Sequence, residues 1–198
     1  MRAEVGCLSR NVLIQGDAES VVDQYGAHIM ISSPPRGRVA TSVGRISQIE
    51  CFRCGQAFML GRYPLHFHMM GDVHDSYIRG AAVHHTYNRA VTIHGVHYLR
   101  VEDVVAYDNM GHTFFIEDAI ESQNRIVHNL ALWTRKSMSL LDTDTTPASF
   151  WITFPTNYFY NNSAAGSERY GFWFDLQVIP GPPFAHVCTC ESYHILLG

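Results

Sequence analysis

Short segments of alternating apolar and polar residues recur along this chain at a nearly constant spacing. Tyr77-Ile-Arg-Gly-Ala-Ala-Val-His84, Arg100-Val-Glu-Asp-Val-Val-Ala-Tyr107 and Arg125-Ile-Val-His-Asn-Leu-Ala-Leu132 align so that Ile78, Val101 and Ile126 recur at intervals of 23 and 25 residues. A second strand-like segment accompanies each: Tyr63-Pro-Leu-His-Phe-His68, Ala90-Val-Thr-Ile-His94, Thr113-Phe-Phe-Ile-Glu117 and Tyr170-Gly-Phe-Trp-Phe-Asp175. Turn residues such as Gly71-Asp72, Tyr87-Asn88 and Asn109-Met-Gly111 separate them. Two or three short strands per repeat, with no sustained 3.6-residue period, predict a solenoid of parallel strands. A β-sandwich also has many short strands, but it does not repeat its registers at one period. The fold expected is therefore all-β, a right-handed parallel β-helix of about 23–26 residues per coil. Coils bury their apolar faces only by stacking on neighbours, so several are required. About five are expected over residues 46–175, with less regular candidates near Val12 and His28. The domain is expected to occupy residues 1–176, followed by an irregular tail, 177–198.

Alternation assigns a side to each residue of the second strand. Leu65 and Phe67, Val91 and Ile93, Phe114 and Ile116, Ser139 and Leu141, and Phe172 and Phe174 are expected inside. His66, Thr92, Phe115, Leu140 and Trp173 then form one outer column, and His68, His94, Glu117, Asp142 and Asp175 the next. Residues 142–155 break the period and read as a loop or extra strand leaving the coil.

Stacked side chains on neighbouring coils are roughly 4.8 Å apart, close enough to act together. His68, His94 and Glu117 are candidate ligands for a divalent metal, calcium or zinc. Glu117, Asp142 and Asp175 are candidate catalytic carboxylates, because neighbouring acids split their pKa values and such pairs can cleave glycosidic bonds. Arg62, His66, Phe115 and Trp173 are candidate ligand-binding residues, offering a guanidinium fork and flat ring faces to a sugar. The plainer alternative is that polar outer ladders serve only to stabilise a solenoid.

Charge narrows the partners. The net charge is −4 and no basic run is present, so there is no electrostatic footprint for nucleic acid. Only Lys136 among the 14 basic residues is a lysine, a bias toward the residue that clasps carboxylates and stacks on rings. No 18-residue apolar stretch spans a membrane, and the N-terminal residues lack an export signal, so any signal or anchor is expected outside this chain. Five cysteines leave at least one thiol unpaired. Cys51 and Cys54, with Cys188 and Cys190, have zinc-knuckle spacing. Two residues three apart in a strand face opposite ways, however, so buried or free cysteines are the favoured reading. Asn161-Asn-Ser163 is a glycosylation sequon, relevant on an exported protein.

Several longer motifs carry a family resemblance: Arg10-Asn-Val-Leu-Ile-Gln-Gly-Asp17, Gly61-Arg-Tyr-Pro-Leu-His-Phe-His68, Asn88-Arg-Ala-Val-Thr-Ile-His94, Phe114-Phe-Ile-Glu-Asp118 and Thr146-Pro-Ala-Ser-Phe-Trp-Ile152. They resemble the β-helix region shared by fibrocystin-L-like proteins, the cell-migration-inducing hyaluronan-binding proteins and the transmembrane hyaluronidases. The short link at residues 141–150 and the segment 76–80 look more like the fibrocystin-L-like branch; the hyaluronan-degrading members carry a longer, Cys-containing insertion at that link. The resemblance implies a module of a large cell-surface protein, anchored outside this chain and flanked by further domains of the parent. The expected role is structural or glycan-binding, with hyaluronan as the implied glycan. The alternative it implies is endo-cleavage of hyaluronan by a hyaluronidase-like glycosidase that uses the His/acid column.

Overall fold

The structure is a computed structural model that describes residues 3–33, 42–139 and 142–176. Leu140, Leu141 and the tail from residue 177, including Cys188 and Cys190, lie outside the described residues.

The chain winds into a right-handed parallel β-helix with three sheets running along its axis. One sheet stacks Val12–Gln15, Ile49–Phe52, Ala82–Thr86, Val105–Met110, Leu130–Arg135 and Ser163–Ala165. A second stacks Ile29–Ser32, Leu65–Asp72, Val91–His97, Phe114–Ile116, Ala148–Ile152 and Tyr170–Phe174. The third consists of three-residue strands, Arg45–Ser47, Tyr77–Arg79, Arg100–Glu102, Arg125–Val127 and Tyr158–Tyr160. Each residue pairs with its equivalent one coil away, as in Ile78 with Val101 and Val101 with Ile126. The irregular candidates near Val12 and His28 are true strands, so the solenoid starts earlier than residue 46.

Corners are made by backbone conformation and by asparagine. The segment read as one strand at 77–84 is two, divided at Gly80. Gln48, Gly80, Asp103, His128 and Asn161 occupy the same corner on five successive coils, and all have φ between 53 and 62°. This left-handed conformation turns the chain between two sheets without lengthening it. Buried asparagines then satisfy the amides the turns leave unpaired. Asn124 Oδ1 accepts from Leu99 N at 2.8 Å, and Asn129 Oδ1 accepts from Val104 N at 2.9 Å. Asn157 and Asn162 repeat the arrangement one coil later, their Oδ1 atoms accepting from Asn124 and Asn129 at 3.0 Å.

Inside, equivalent apolar residues stack in files. Phe114, Phe150 and Phe172 lie parallel, with ring centroids 4.8 and 4.7 Å apart. Phe150 and Ile152 are therefore the inward pair of the fourth coil, a correction to the assignment of Ser139 and Leu141. Residues 148–152 are the coil's own strand, not an excursion from it. The extra length lies before that strand, in a turn that includes the 3₁₀ helix Asp142–Thr145.

Cys51 and Cys54 are buried and joined by a disulfide, with Cα atoms 5.9 Å apart. Strand alternation predicted opposite faces, but Arg53 between them has φ 52°, which curls the chain and brings both sulfurs inward. Cys7 is free and exposed.

Phe150→Ala removes the fully buried middle ring of this file. We expect it to lower the free energy of unfolding by about 3–5 kcal/mol, measured by urea titration. A loss under about 1 kcal/mol would mean that the file is not the packed core.

Candidate functional site

The outer face of the second sheet divides into a sealed part and an accessible part. In the sealed part the strand residues are covered by a layer built around Arg89, whose side chain is completely buried. Its guanidinium binds the Asp144 carboxylate through two bonds, Nε to Oδ1 at 3.1 Å and Nη2 to Oδ2 at 2.6 Å. It also donates to the Tyr63 hydroxyl at 3.3 Å and lies 3.8 Å from the centroid of the Phe115 ring. Asp144 further accepts from His112 N at 3.2 Å, and its backbone carbonyl accepts from Ser137 N. Gly111, at φ 80°, leaves room for this carboxylate, because a Cβ there would stand 2.6 Å from Asp144 Oδ1. The 3₁₀ turn is thus bolted to the sheet by a buried, bidentate ion pair.

That layer changes the standing of several candidates. His66 and Phe115 do point outward from the strand, but Tyr63, Arg89 and Trp151 cover that face, leaving them 1% and 5% exposed. Neither offers a surface to a sugar ring. Asp142 is exposed in the 3₁₀ turn and is not in the column; Thr153, following Ile152 as Glu117 follows Ile116, takes that register. Asp175 keeps the register, its amide donating to Ile152 O at 2.8 Å. It lies two coil steps from Glu117, roughly 9.6 Å along the axis. Trp173 is 36% exposed and packs on Tyr170 and Trp151.

The accessible part brings four side chains together. His68 and His94 pair in register, and their Nδ1 atoms are 3.0 Å apart. His94 Nδ1 also faces Glu117 Oε2 at 3.3 Å, while its Nε2 lies 2.8 Å from Asp118 Oδ2. Asp118 was not anticipated: alternation ends with the strand at Ile116, and only the turn after Glu117 swings it beside His94. His66 lies beneath them, its ring parallel to His94 with centroids 5.9 Å apart. The atoms that come within 4.8 Å of one another belong to His66, His68 and His94, so the convergent trio includes His66 where the sequence suggested Glu117. Upstream, exposed Arg62 contacts His28 Nε2 at 3.2 Å. The resulting strip is cationic at one end and acidic at the other.

Burial tunes these groups. Desolvation pushes His66 down to about 4 and also lowers His68, with His94 reinforcing both. Desolvation raises Glu117, against the opposing pull of His94 and Arg89. Both shifts favour uncharged forms, of the His66 and His68 imidazoles on one side and of the Glu117 carboxyl on the other. In the sealed layer, burial takes His112 down to about 3 despite the attraction of Asp144.

The family described as CEMIP beta-helix matches residues 24–194. The chain is 42% identical to mouse fibrocystin-L over 92% of its length, which is 5% of that protein. It is 38% identical to a human cell surface hyaluronidase, covering 88% of the chain and 15% of the relative. With the human cell migration-inducing and hyaluronan-binding protein it shares 34% identity over 100% of the chain and 17% of the relative. The chain thus spans one-twentieth to about one-sixth of the length of these relatives. Among the described residues no helix is long and apolar enough to cross a membrane.

Asp144→Ala leaves a buried guanidinium unpaired, and we expect it to cost about 3–5 kcal/mol of stability. Asp142→Ala, two residues away but exposed, should change stability by less than about 0.5 kcal/mol. Equal effects in chemical denaturation would refute the bolt. His112 supplies a pH test. Its imidazole takes a proton below 6.5 when unfolded but resists it when folded, so stability is full above about 6.5 and is lost as pH falls toward about 3. Thermal melts of His112→Asn should show a shallower acid decline than the parent, by up to about 1.4 kcal/mol per pH unit. Identical slopes would contradict the assignment.

Proposed function

The chain belongs to the CEMIP β-helix family, and from that membership we propose that it is an extracellular, noncatalytic β-helix module that binds a glycan of the hyaluronan class. The observation that carries this reading is the half-exposed strip from Arg62 and His28 through His68 and His94 to Glu117 and Asp118. Register stacking aligns His68, His94 and Glu117 along the solenoid axis, with Arg62 and His28 beside the start of the same strands, so an extended chain lying along the column meets one coil after another. The Arg62 fork suits the carboxylates of an acidic polysaccharide, and Trp173, further along the same sheet, offers a ring face. The names of the relatives point the same way: one is called a cell surface hyaluronidase and another a hyaluronan-binding protein. These names also support a cell-surface location, with anchor and neighbouring domains belonging to the longer parent.

One observation favours a second reading, endo-cleavage. Glu117 combines a raised pKa with a position beside His94, which suits a carboxyl serving as a general acid.

Incubation of the purified domain with long hyaluronan separates the two readings, with binding followed by calorimetry and chain length by gel. We expect retention without shortening, and a loss of affinity of about tenfold in Arg62→Ala. Shortening that disappears in Glu117→Gln would transfer the assignment to the depolymerase. Absence of both binding and shortening would overturn both.

A further inference from the structure

In two members of the trio at the buried edge of the strip, His66 and His94, an outer partner already holds the ring proton and leaves the inner nitrogen free to bind. His66 Nδ1 lies 2.9 Å from the Gly61 carbonyl oxygen, an atom that can only accept, so Nδ1 carries the proton. The lone pair is left on His66 Nε2, which is fully buried and has no hydrogen-bond partner. His94 repeats the arrangement with the nitrogens exchanged. Its Nε2 meets the Asp118 carboxylate at 2.8 Å, fixing the proton there and leaving the lone pair on Nδ1. That Nδ1 faces His68 Nδ1 at 3.0 Å and Glu117 Oε2 at 3.3 Å. Glu117 Oε2 is itself buried and without a hydrogen-bond partner. Two imidazoles and one carboxylate thus offer acceptor atoms beside a third imidazole, and the Gly61 carbonyl and the Asp118 carboxylate hold the outer nitrogens of His66 and His94. Outer partners of this kind are what orient metal-bound histidines.

We propose that His66 Nε2, His68 and His94 Nδ1 form a divalent transition-metal site, with Glu117 or water completing the coordination. The donor set selects the ion: imidazole nitrogen suits zinc, cobalt, nickel or copper, whereas calcium takes six to eight oxygens. Zinc is the physiological candidate. The geometry is near that of a bound state. Nitrogens held about 2.0–2.1 Å from one tetrahedral ion are separated by roughly 3.4 Å, and one ring nitrogen from each of the three histidines already lies within 4.8 Å of the others. His66 is fixed by its burial, so closure needs only small rotations of the half-exposed His68 and His94. No such group involves His84, His85 and Glu50 on the neighbouring sheet among the described residues. There His84 Nε2 meets Glu50, and its Nδ1 meets the adjacent His85. The assignment is independent of glycan binding, because each can succeed while the other fails.

The test uses the purified domain, free of any histidine tag and stripped with chelator, titrated with zinc alone and with cobalt alone. One equivalent of zinc should bind and raise the thermal midpoint, and cobalt should give the visible absorption of a low-coordinate nitrogen site. His68→Gln and His94→Gln should each weaken zinc at least tenfold, with circular dichroism confirming the fold. Asp118→Ala, an exposed change that tests the outer partner, should weaken it about 10–100-fold. His85→Gln should leave binding unchanged. Calcium binding without zinc binding, no saturable zinc, or zinc affinity unaltered in His94→Gln and Asp118→Ala would each overturn the site.

Discussion

A coil of this solenoid has almost no hydrogen-bond partners within itself. Its strand amides find their carbonyls one coil away, as Val91 N finds Thr113 O and Thr113 N finds Ala148 O, both near 3 Å. Parallel stacking in register is therefore the condition for satisfying the backbone at all. Once it is met, the side chains have no choice of neighbour: each lies against its equivalent at the coil spacing. The phenylalanine file, the asparagine corners and the His68–His94 contact are three outcomes of that one constraint. Two are structural and one is chemical.

The same constraint explains why the outer face is divided. A stacked sheet leaves a flat exterior, and the turn before residue 148 folds back over part of it. The Arg89–Asp144 pair holds that turn down, replacing water around Phe115, Thr92 and His66 with aromatic rings and a matched ion pair. Beyond the edge of the cover, His68, His94 and Glu117 stay within reach of solvent. His66 sits at the boundary, locked by the cover yet directed at the open cluster. Burial at this boundary sets the protonation pattern, by disfavouring charge on His66 and on Glu117.

Much of the architecture was legible in the sequence because the constraint leaves a periodic trace. The spacing of Ile78, Val101 and Ile126 gave the coil, and alternation put His68 and His94 side by side. The fourth coil was misread because the inserted turn carries its own acids and apolar residues, and Asp142 fell into a false register. Alternation also reports only which way a side chain leaves the strand. It is silent on what another segment lays over it, so His66 and Phe115 looked accessible. Arg89 and Asp144 are 55 residues apart in the chain, and no local pattern links them. The cysteine pair escaped because a single left-handed residue, Arg53, overrides alternation. Each miss involves a loop or turn, where the repeat no longer governs.

The central claim is that register stacking and its cover direct bare imidazole nitrogens toward one point. The tautomers of His66 and His94 test it most directly. Long-range proton–nitrogen NMR correlations on the metal-free domain at neutral pH read them from the ring nitrogen shifts. Protonation of His66 at Nδ1 and of His94 at Nε2 is the predicted result. A proton on His66 Nε2 or a fixed proton on His94 Nδ1 would contradict the account, because the lone pairs would then point away from the shared centre.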